Sequence, residues 1–313
     1  KVYDPEGREK AYIPVNLKKP FVQSCHNDVL IADIEGRYLA LMNDGKLLWE
    51  KTTDEDIVNA SISADWILLI TQSSESGYKR TIRALSRDGQ EVSLRNVSNY
   101  YPVSAFQYPE FNNSFVVSGI DASSLEANGL FEFLSPAMDQ LASIRGDKEV
   151  FSGGVPLKKE RLLLVGEKSV ILIDKTFQPV WEKKMTDSTV TAADILEERY
   201  PVIAELHNSI LLRENRHETT VRILNDDSSQ RAELVMDDIV TGISSNGRTA
   251  AVIAGTEVFF INRDGKTMDS FTAKSEIDGV YLAKENLAYV ISGGGITRIH
   301  VKVSKSLFGL FGN

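Results

Sequence analysis

The sequence contains one cysteine, three tryptophans and no apolar run long enough to cross a membrane. Because Cys25 stands alone, no internal disulfide can form, which fits either a reduced cytosol or a bacterial envelope protein that avoids free thiols. No cluster of lysine and arginine stands out, and a net charge of −9 disfavours nucleic-acid binding. Since the chain begins at Lys1, an N-terminal signal or anchor removed ahead of it is left open.

Short apolar runs separated by turn residues fill the whole chain, which is typical of many short β-strands. Helical periodicity is weak, and the best helical candidates are residues 123–134 and 192–200. Hydrophobic residues make up 42% and charged residues 25%, which is ordinary for a globular protein. A chain of 313 residues is long enough for two ordinary domains or for one large all-β domain.

One five-residue motif recurs, in which an apolar residue leads into a turn that often contains Asp-Gly. The clearest copies are 41–45, 85–89 and 261–265, and weaker copies begin at Leu134, Ile173 and Leu224. Glycine suits such a turn because a tight hairpin needs a positive φ. A period of about 45 residues with four strands in each repeat is typical of the blades of a β-propeller.

The candidate strands differ in side-chain size, as expected for the strands of a wedge-shaped blade. Candidate inner strands such as "VNASIS" and "VTGISS" are rich in small residues, and the strands that follow, such as "WILLIT" and "TAAVIA", are bulky. The sequence therefore predicts an all-β fold with one β-propeller domain over residues 1–313 and seven four-stranded blades. The irregular stretch 189–234 leaves six or eight blades as alternatives.

The ends of the chain bear on how the propeller closes. The last repeat lacks a fourth strand, and the run Ala11–Leu17 has no blade of its own. We therefore expect residues 11–17 to form a strand that completes the last blade and removes an exposed edge. The C-terminal tail, 303–313, is expected to dock on the outer face of a blade, or else to form a sticky contact with a membrane or a partner.

The stretches "ALMNDGKLLWEK" and "ILIDKTFQPVWEKK" resemble the repeat of quinoprotein-type propellers, the pyrroloquinoline-quinone-like repeat, in which tryptophan follows the turn on the outer strand. Similar repeats occur in the propeller lipoprotein of the outer-membrane assembly machinery. The stretch from Pro20 to about Val92 also resembles a group of Gram-positive propellers that lie outside the membrane behind an N-terminal anchor. Because quinone-dependent enzymes carry tryptophan in most blades, this chain is not expected to carry over their cofactor or their calcium site.

No set of residues is predicted to be catalytic, cofactor-binding or metal-binding. The histidines lack metal-type spacing, and they are His26, His207, His217 and His300. Cys25 is expected to be a small core residue rather than a nucleophile. The acidic pairs Asp226-Asp227 and Asp237-Asp238 are expected to be solvated turns, because neither lies in a calcium-loop pattern.

Three functions remain in view. The first is a non-catalytic binding scaffold of the bacterial cell envelope that holds a protein, peptide or ligand through an axial loop face, with residues 73–79 and 120–129 as candidate contact loops. The second is a propeller enzyme, a hydrolase, a lyase or a quinone-dependent oxidoreductase, working in the central channel. Its candidate acids lie near the ends of inner strands, and they are Asp194, Glu198, Asp238 and Asp278. The third is an envelope assembly factor that engages partners by strand addition or face docking.

Overall fold

The structure is a computed structural model that describes residues 2–3, 8–111, 113–123, 125–207 and 217–302. Those residues form β-strands and turns and contain no helix, and hence none that could span a membrane. Seven antiparallel sheets follow one another along the chain, and each is a meander of consecutive strands. The first six sheets have four strands, and the seventh has three among the described residues. The predicted all-β propeller class and the count of seven blades are thus confirmed.

The sheets are named blade 1 to blade 7 in chain order. A short hairpin of β1 (Val2–Tyr3) and β2 (Glu9–Ala11) precedes them. Blades 1 to 3 consist of β3 (Pro20–Cys25), β4 (Asp28–Asp33), β5 (Tyr38–Asn43), β6 (Lys46–Thr52); β7 (Ile57–Ile62), β8 (Ile67–Gln72), β9 (Arg80–Leu85), β10 (Glu91–Val97); and β11 (Tyr101–Tyr108), β12 (Ser114–Asp121), β13 (Asn128–Leu134), β14 (Gln140–Arg145).

Blades 4 to 7 follow the same order. They consist of β15 (Phe151–Leu157), β16 (Arg161–Gly166), β17 (Ser169–Asp174), β18 (Pro179–Lys184); β19 (Ser188–Leu196), β20 (Tyr200–His207), β21 (Thr219–Leu224), β22 (Gln230–Met236); β23 (Val240–Asn246), β24 (Thr249–Ala254), β25 (Glu257–Ile261), β26 (Thr267–Thr272); and β27 (Ile277–Lys284), β28 (Leu287–Ser292), β29 (Gly295–His300).

The chain divides into two compact units, residues 1–153 and 154–313. Within the first unit, one apolar cluster joins blade 1 to blade 2 and another joins blade 2 to blade 3. Within the second unit, three clusters join blades 4 and 5, 5 and 6, and 6 and 7. Second strands such as β8 and β24 are buried on both faces, which explains why their sequences are continuous apolar runs rather than alternating ones.

A repeated hydrogen bond links successive blades within each unit. A side chain on the fourth strand of one blade donates to the third residue of the recurring motif in the next blade, where the backbone carbonyl accepts. The donors and acceptors are Trp49 and Arg87 (2.9 Å), Ser93 and Pro136 (2.7 Å), Trp181 and Asp226 (3.0 Å), and Arg231 and Arg263 (3.1 Å). The recurring turn therefore closes a hairpin and also presents an acceptor to the preceding blade. We name this contact the turn latch.

Gly89 shows why the turn needs glycine for two reasons at once. Its φ is +83°, a conformation that side chains disfavour, and a Cβ at this position would lie 3.1 Å from the indole of Trp49. The hairpin at Asp44 and Gly45 uses positive φ at both central residues, 46° and 78°. Thus the Asp-Gly turns were interpreted correctly from the sequence, whereas the stacking of tryptophan on Gly89 is visible only in the fold.

Two sequence-based predictions of helices are wrong. Residues 123–134 contain a loop and β13, and residues 192–200 contain the end of β19, a tight turn and the start of β20. Glu197 and Glu198 adopt positive φ in that turn, 53° and 54°, although glutamate favours helices. Antiparallel pairing of β19 with β20 outweighs the local propensity.

The prediction of a closing strand over residues 11–17 is also wrong in its bounds. Ala11 ends β2, which pairs with β1, and residues 12–17 form no strand. Pro14 lies in the middle of this run and has no N–H to give to a sheet, and Tyr12 is 62% exposed. The predicted docking of the tail, 303–313, falls outside the described residues.

The turn latch leads to a test with a matched control. Gly89→Ala should lower the free energy of unfolding by about 2–3 kcal/mol, because it forces an alanine into positive φ and presses a methyl group on Trp49. Gly77→Ala should cost only about 1 kcal/mol, since Gly77 has a φ of +89° but nothing lies within 4 Å of its Cβ position. Urea unfolding measures both costs, and the difference should disappear in a Trp49→Ala background. Equal costs in the wild-type background would contradict the proposed contact.

Candidate functional site

The two ends of each blade differ in the length of their connections. We name the end where the first strand begins and the second strand ends the loop end. In the first unit the loop end carries the two longest connections within blades, residues 73–79 in blade 2 and 122–127 in blade 3. The turn latches lie at the opposite end, between third and fourth strands. The sequence predicts residues 73–79 and 120–129 to be contact surfaces. The fold places these two loops at the same end of neighbouring blades.

A cleft of about 390 Å³ opens at the loop end of blades 1 and 2. Aliphatic side chains and four charged side chains share its wall. The lining residues are Lys19, Ile34, Glu35, Asp56, Ile57, Val58, Gln72 and Arg80. They come from the segment before β3, the connection after β4, the start of β7, the end of β8 and the start of β9. Its volume falls within the range of small-molecule sites.

Three of the four charges in the cleft have charged partners. Lys19 Nζ lies 3.2 Å from a carboxylate oxygen of Glu35, and both side chains are largely exposed. Asp56 accepts a hydrogen bond of 2.8 Å from Nε of Arg37, and this bond is the main cause that lowers the pKa of Asp56. Arg80 differs, because its Nη1 donates to the backbone carbonyl of Pro102 and its buried Nε has no partner. Burial lowers the pKa of Arg80.

The loop of residues 122–127 is held at its start by one carboxylate. Asp121 accepts a hydrogen bond of 3.0 Å from the backbone N–H of Ser123, and its other oxygen accepts one of 2.9 Å from Arg145. Hydrogen bonds from Ser123 and then the one from Arg145 lower the pKa of Asp121 to about 2. The ionised carboxylate therefore fixes the first residues of the loop against β14.

The four acids proposed for an enzyme lie at different ends of the blades in the second unit. Asp194 lies near the end of β19, and Glu198 lies in the turn that follows it. Asp238 and Asp278 lie at the starts of β23 and β27, which is the loop end. Strands of this length separate the two ends by roughly 20 Å. The fold therefore does not bring the four carboxylates together.

Asp194 has a structural partner on the neighbouring inner strand. One of its oxygens accepts a hydrogen bond of 2.7 Å from the backbone N–H of Ser245 on β23, and the other accepts one of 2.8 Å from Ile195. Burial raises the pKa of Asp194, and the hydrogen bonds partly oppose that shift. Gln23 and Asn59 make equivalent contacts between inner strands in the first unit, to the N–H groups of Ile62 and Ala105. The raised pKa of Asp194 thus reflects its burial, and its hydrogen bond to Ser245 gives it a structural role as a link between inner strands.

Among the other sequence candidates, Cys25 and His26 contact each other, as neighbours in the sequence. Across the described ranges, no three His, Cys, Asp or Glu side chains are grouped so that they could hold a metal ion. Cys25, half-buried, has its Sγ 3.4 Å from Nδ1 of His26. His207 contacts Thr220 Oγ1 at 2.8 Å, and His300 is an exposed residue at the end of β29.

The predicted acidic turns bind protein groups. Asp226 lies 3.2 Å from Lys159 and 3.3 Å from Arg199, and Asp227 accepts from the backbone N–H of Ser229 at 3.0 Å. Asp238 is exposed and accepts from the N–H of Ile239 at 2.7 Å. These contacts agree with the expectation that the two pairs belong to turns.

Sequence reasoning missed the cleft. Its residues come from five separate segments, so no spacing in the sequence links them. The only signal was indirect, since Gln72 and Arg80 flank the loop 73–79 that had been singled out as a contact surface.

With this geometry the protein is a β-propeller with a charged cleft at its loop end. Residues 1–301 match the DUF5711 family, a family of unknown function, and the chain belongs to that family. No curated protein matches the chain significantly.

Solved structures with a similar fold include propellers of several organisms. BamB from Moraxella catarrhalis shares 12% identity and a TM-score of 0.51, over 90% of this chain and 96% of that one. The Pan2 WD40 domain of Neurospora crassa shares 8% identity and a TM-score of 0.59, over 92% and 90%. Sqt1 of Saccharomyces cerevisiae shares 9% identity and a TM-score of 0.53, over 94% and 98%. At such identities the likeness shows the fold alone.

The loop held by Asp121 should respond to acid. Because the folded pKa of about 2 lies below the ordinary carboxyl value, the stability that Asp121 contributes is complete above about pH 4 and is lost as the pH falls through about 2. The difference in free energy of unfolding between wild type and Asp121→Asn should therefore shrink over that interval. Urea unfolding at a series of pH values measures it, and a difference that stays constant from pH 5 to pH 2 would contradict this assignment.

Proposed function

We propose that this protein is a non-catalytic binding propeller of the bacterial cell envelope, and that it holds a protein, peptide or ligand at the loop end. The single observation that carries the proposal is that the cleft and the two long loops of the first unit share that end. Loops positioned by a rigid scaffold are where binding residues most often lie. A propeller enzyme is the alternative, but the four candidate acids that would support it do not converge.

Two finer points belong to the same proposal. Residues 1–313 act as one propeller domain, since blade follows blade with only short connections. The repeat is of the quinoprotein type, because Trp49 and Trp181 follow the turn and donate into the next blade. The envelope location is supported by the resemblance of the first two repeats to propellers outside the membrane.

Site-specific photo-crosslinking tests the binding face. A crosslinking amino acid placed at Ser76 or Ala127, both exposed at the loop end, should give discrete adducts in cells of the native organism. The same amino acid at Asp65 or Gln90, exposed at the opposite end, should give few or none. Adducts that form equally at both ends, or only from Asp65 and Gln90, would argue against a binding role for the loop end.

The location can be tested separately with a thiol probe. In a Cys25→Ser background, a cysteine introduced by Ser76→Cys should react with a membrane-impermeant maleimide in intact cells, because Ser76 is exposed. A cytoplasmic protein in the same cells serves as the control for leakage. Labelling that appears only after lysis would place the propeller inside the cell and refute the envelope location.

A further inference from the structure

Arg80 is an exception among the arginines of blades 1 to 3. The others each meet a carboxylate, and the pairs are Arg37 with Asp56, Arg83 with Glu55 and Glu91, Arg87 with Asp28, Arg95 with Glu132, and Arg145 with Asp121. No described carboxylate is bonded to Arg80. Its Nη1 is held by the carbonyl of Pro102, and its Nε is buried without a partner.

An uncompensated cation in a partly buried position is costly, because burial removes water from the charge and no anion replaces it. Burial accordingly lowers the pKa of Arg80. The ring centroid of Tyr101 lies 5.7 Å from the guanidinium, which is a cation–π contact rather than an ion pair. The Pro102 bond fixes the guanidinium in place, so the arginine is oriented before any ligand arrives. Such a preset cation on the wall of a cleft suits an anionic ligand group.

The other lining residues of the cleft indicate which kind of anionic group could bind there. Ile34 and Val58, which are both half-buried, supply an apolar surface, and Gln72 supplies an amide that can both donate and accept. Glu35 and Asp56 add two carboxylates, which would repel a group of high negative charge such as a phosphate dianion. A single negative charge on a planar group matches a guanidinium, which pairs well with carboxylates.

We propose that this cleft binds a small ligand through a carboxylate group, which pairs with the guanidinium of Arg80 while the remainder of the ligand lies against Ile34 and Val58. The proposal rests on the proposed binding function and names the ligand chemistry at the loop end. A peptide C-terminus and a sugar acid both carry this group, and the test includes both. Arg80 confers the selectivity for charge.

Isothermal titration of the full chain tests the proposal with defined probes. N-acetyl-alanyl-alanine and glucuronic acid are the two carboxylates, and N-acetyl-alanyl-alaninamide and glucuronamide are their neutral counterparts. We expect at least one carboxylate to bind, and its amide to bind at least about tenfold more weakly because the charge-assisted pair is lost. Inorganic phosphate should bind more weakly than the carboxylate.

Variants assign the binding to this cleft. Arg80→Gln should reduce the affinity for the carboxylate by about tenfold or more. Because that change also breaks the bond to Pro102, Gln72→Glu provides a second variant that keeps Arg80 and places a competing carboxylate on the wall. Lys46→Gln removes an exposed cation from the β5–β6 turn, at the opposite end of blade 1, and should leave the affinity unchanged.

The outcomes are distinct from those of the crosslinking experiment. If neither carboxylate binds, if an amide binds equally well, or if phosphate binds more tightly, the ligand assignment is wrong. If both cleft variants retain full affinity, the site is wrong. If crosslinked adducts still form from Ser76 and Ala127 in Arg80→Gln, the loop end remains the binding face although the ligand assignment is wrong. If the wild-type protein forms no adducts from Ser76 and Ala127, the proposed function itself is refuted.

Discussion

The turn latch fixes how successive blades are aligned, because one short turn both closes its own hairpin and accepts a hydrogen bond from the preceding blade. In four copies of the motif, the carbonyl of the third residue points out of its own hairpin and accepts from the preceding blade, as Arg87 accepts from Trp49. A hydrogen bond of this kind contributes only about 0.5–1.5 kcal/mol, whereas one fully buried leucine contributes about 1.5–3 kcal/mol. The apolar clusters between blades therefore supply most of the stability. The latch instead fixes which residue of one blade meets which residue of the next.

This constraint explains how much of the fold could be predicted. The recurring turn keeps its length and a positive φ at its fifth residue, which is glycine in the copies that begin at Leu41, Leu85 and Ile261 and is Met138, Phe177 and Ser228 in the others. The three copies with glycine were therefore the easiest to recognise. The predicted helix at 192–200 failed because Glu197 and Glu198 are helix formers forced into a hairpin turn by pairing along β19 and β20. Local propensity is a weak guide where long-range pairing decides.

The second wrong helix has a different cause. Glu132 lies within the predicted helix 123–134, and it is only 4% exposed on β13. Its charge is accommodated because Arg95 lies 2.8 Å away and the hydroxyl of Tyr100 donates to its other oxygen. A carboxylate is buried only when such partners exist, and partners that distant in sequence cannot be read from spacing. Asp194 likewise has a partner that is distant in sequence, because it accepts a hydrogen bond from the N–H of Ser245, and no local pattern predicts that contact.

The two ends of a blade are under different constraints, and this difference directs the search for function. At the latch end, a longer turn would move its carbonyl away from the donor in the preceding blade, so length is restricted there. At the loop end, residues 73–79 meet the neighbouring connection through side chains, as Ser74 Oγ donates to Glu55 at 2.9 Å, rather than through a turn carbonyl. Insertions cost little there because loop-closure free energy grows slowly with length. Changes that build a binding surface can therefore accumulate at the loop end without disturbing the register between blades. The cleft and its unpaired Arg80 lie where the fold tolerates such change.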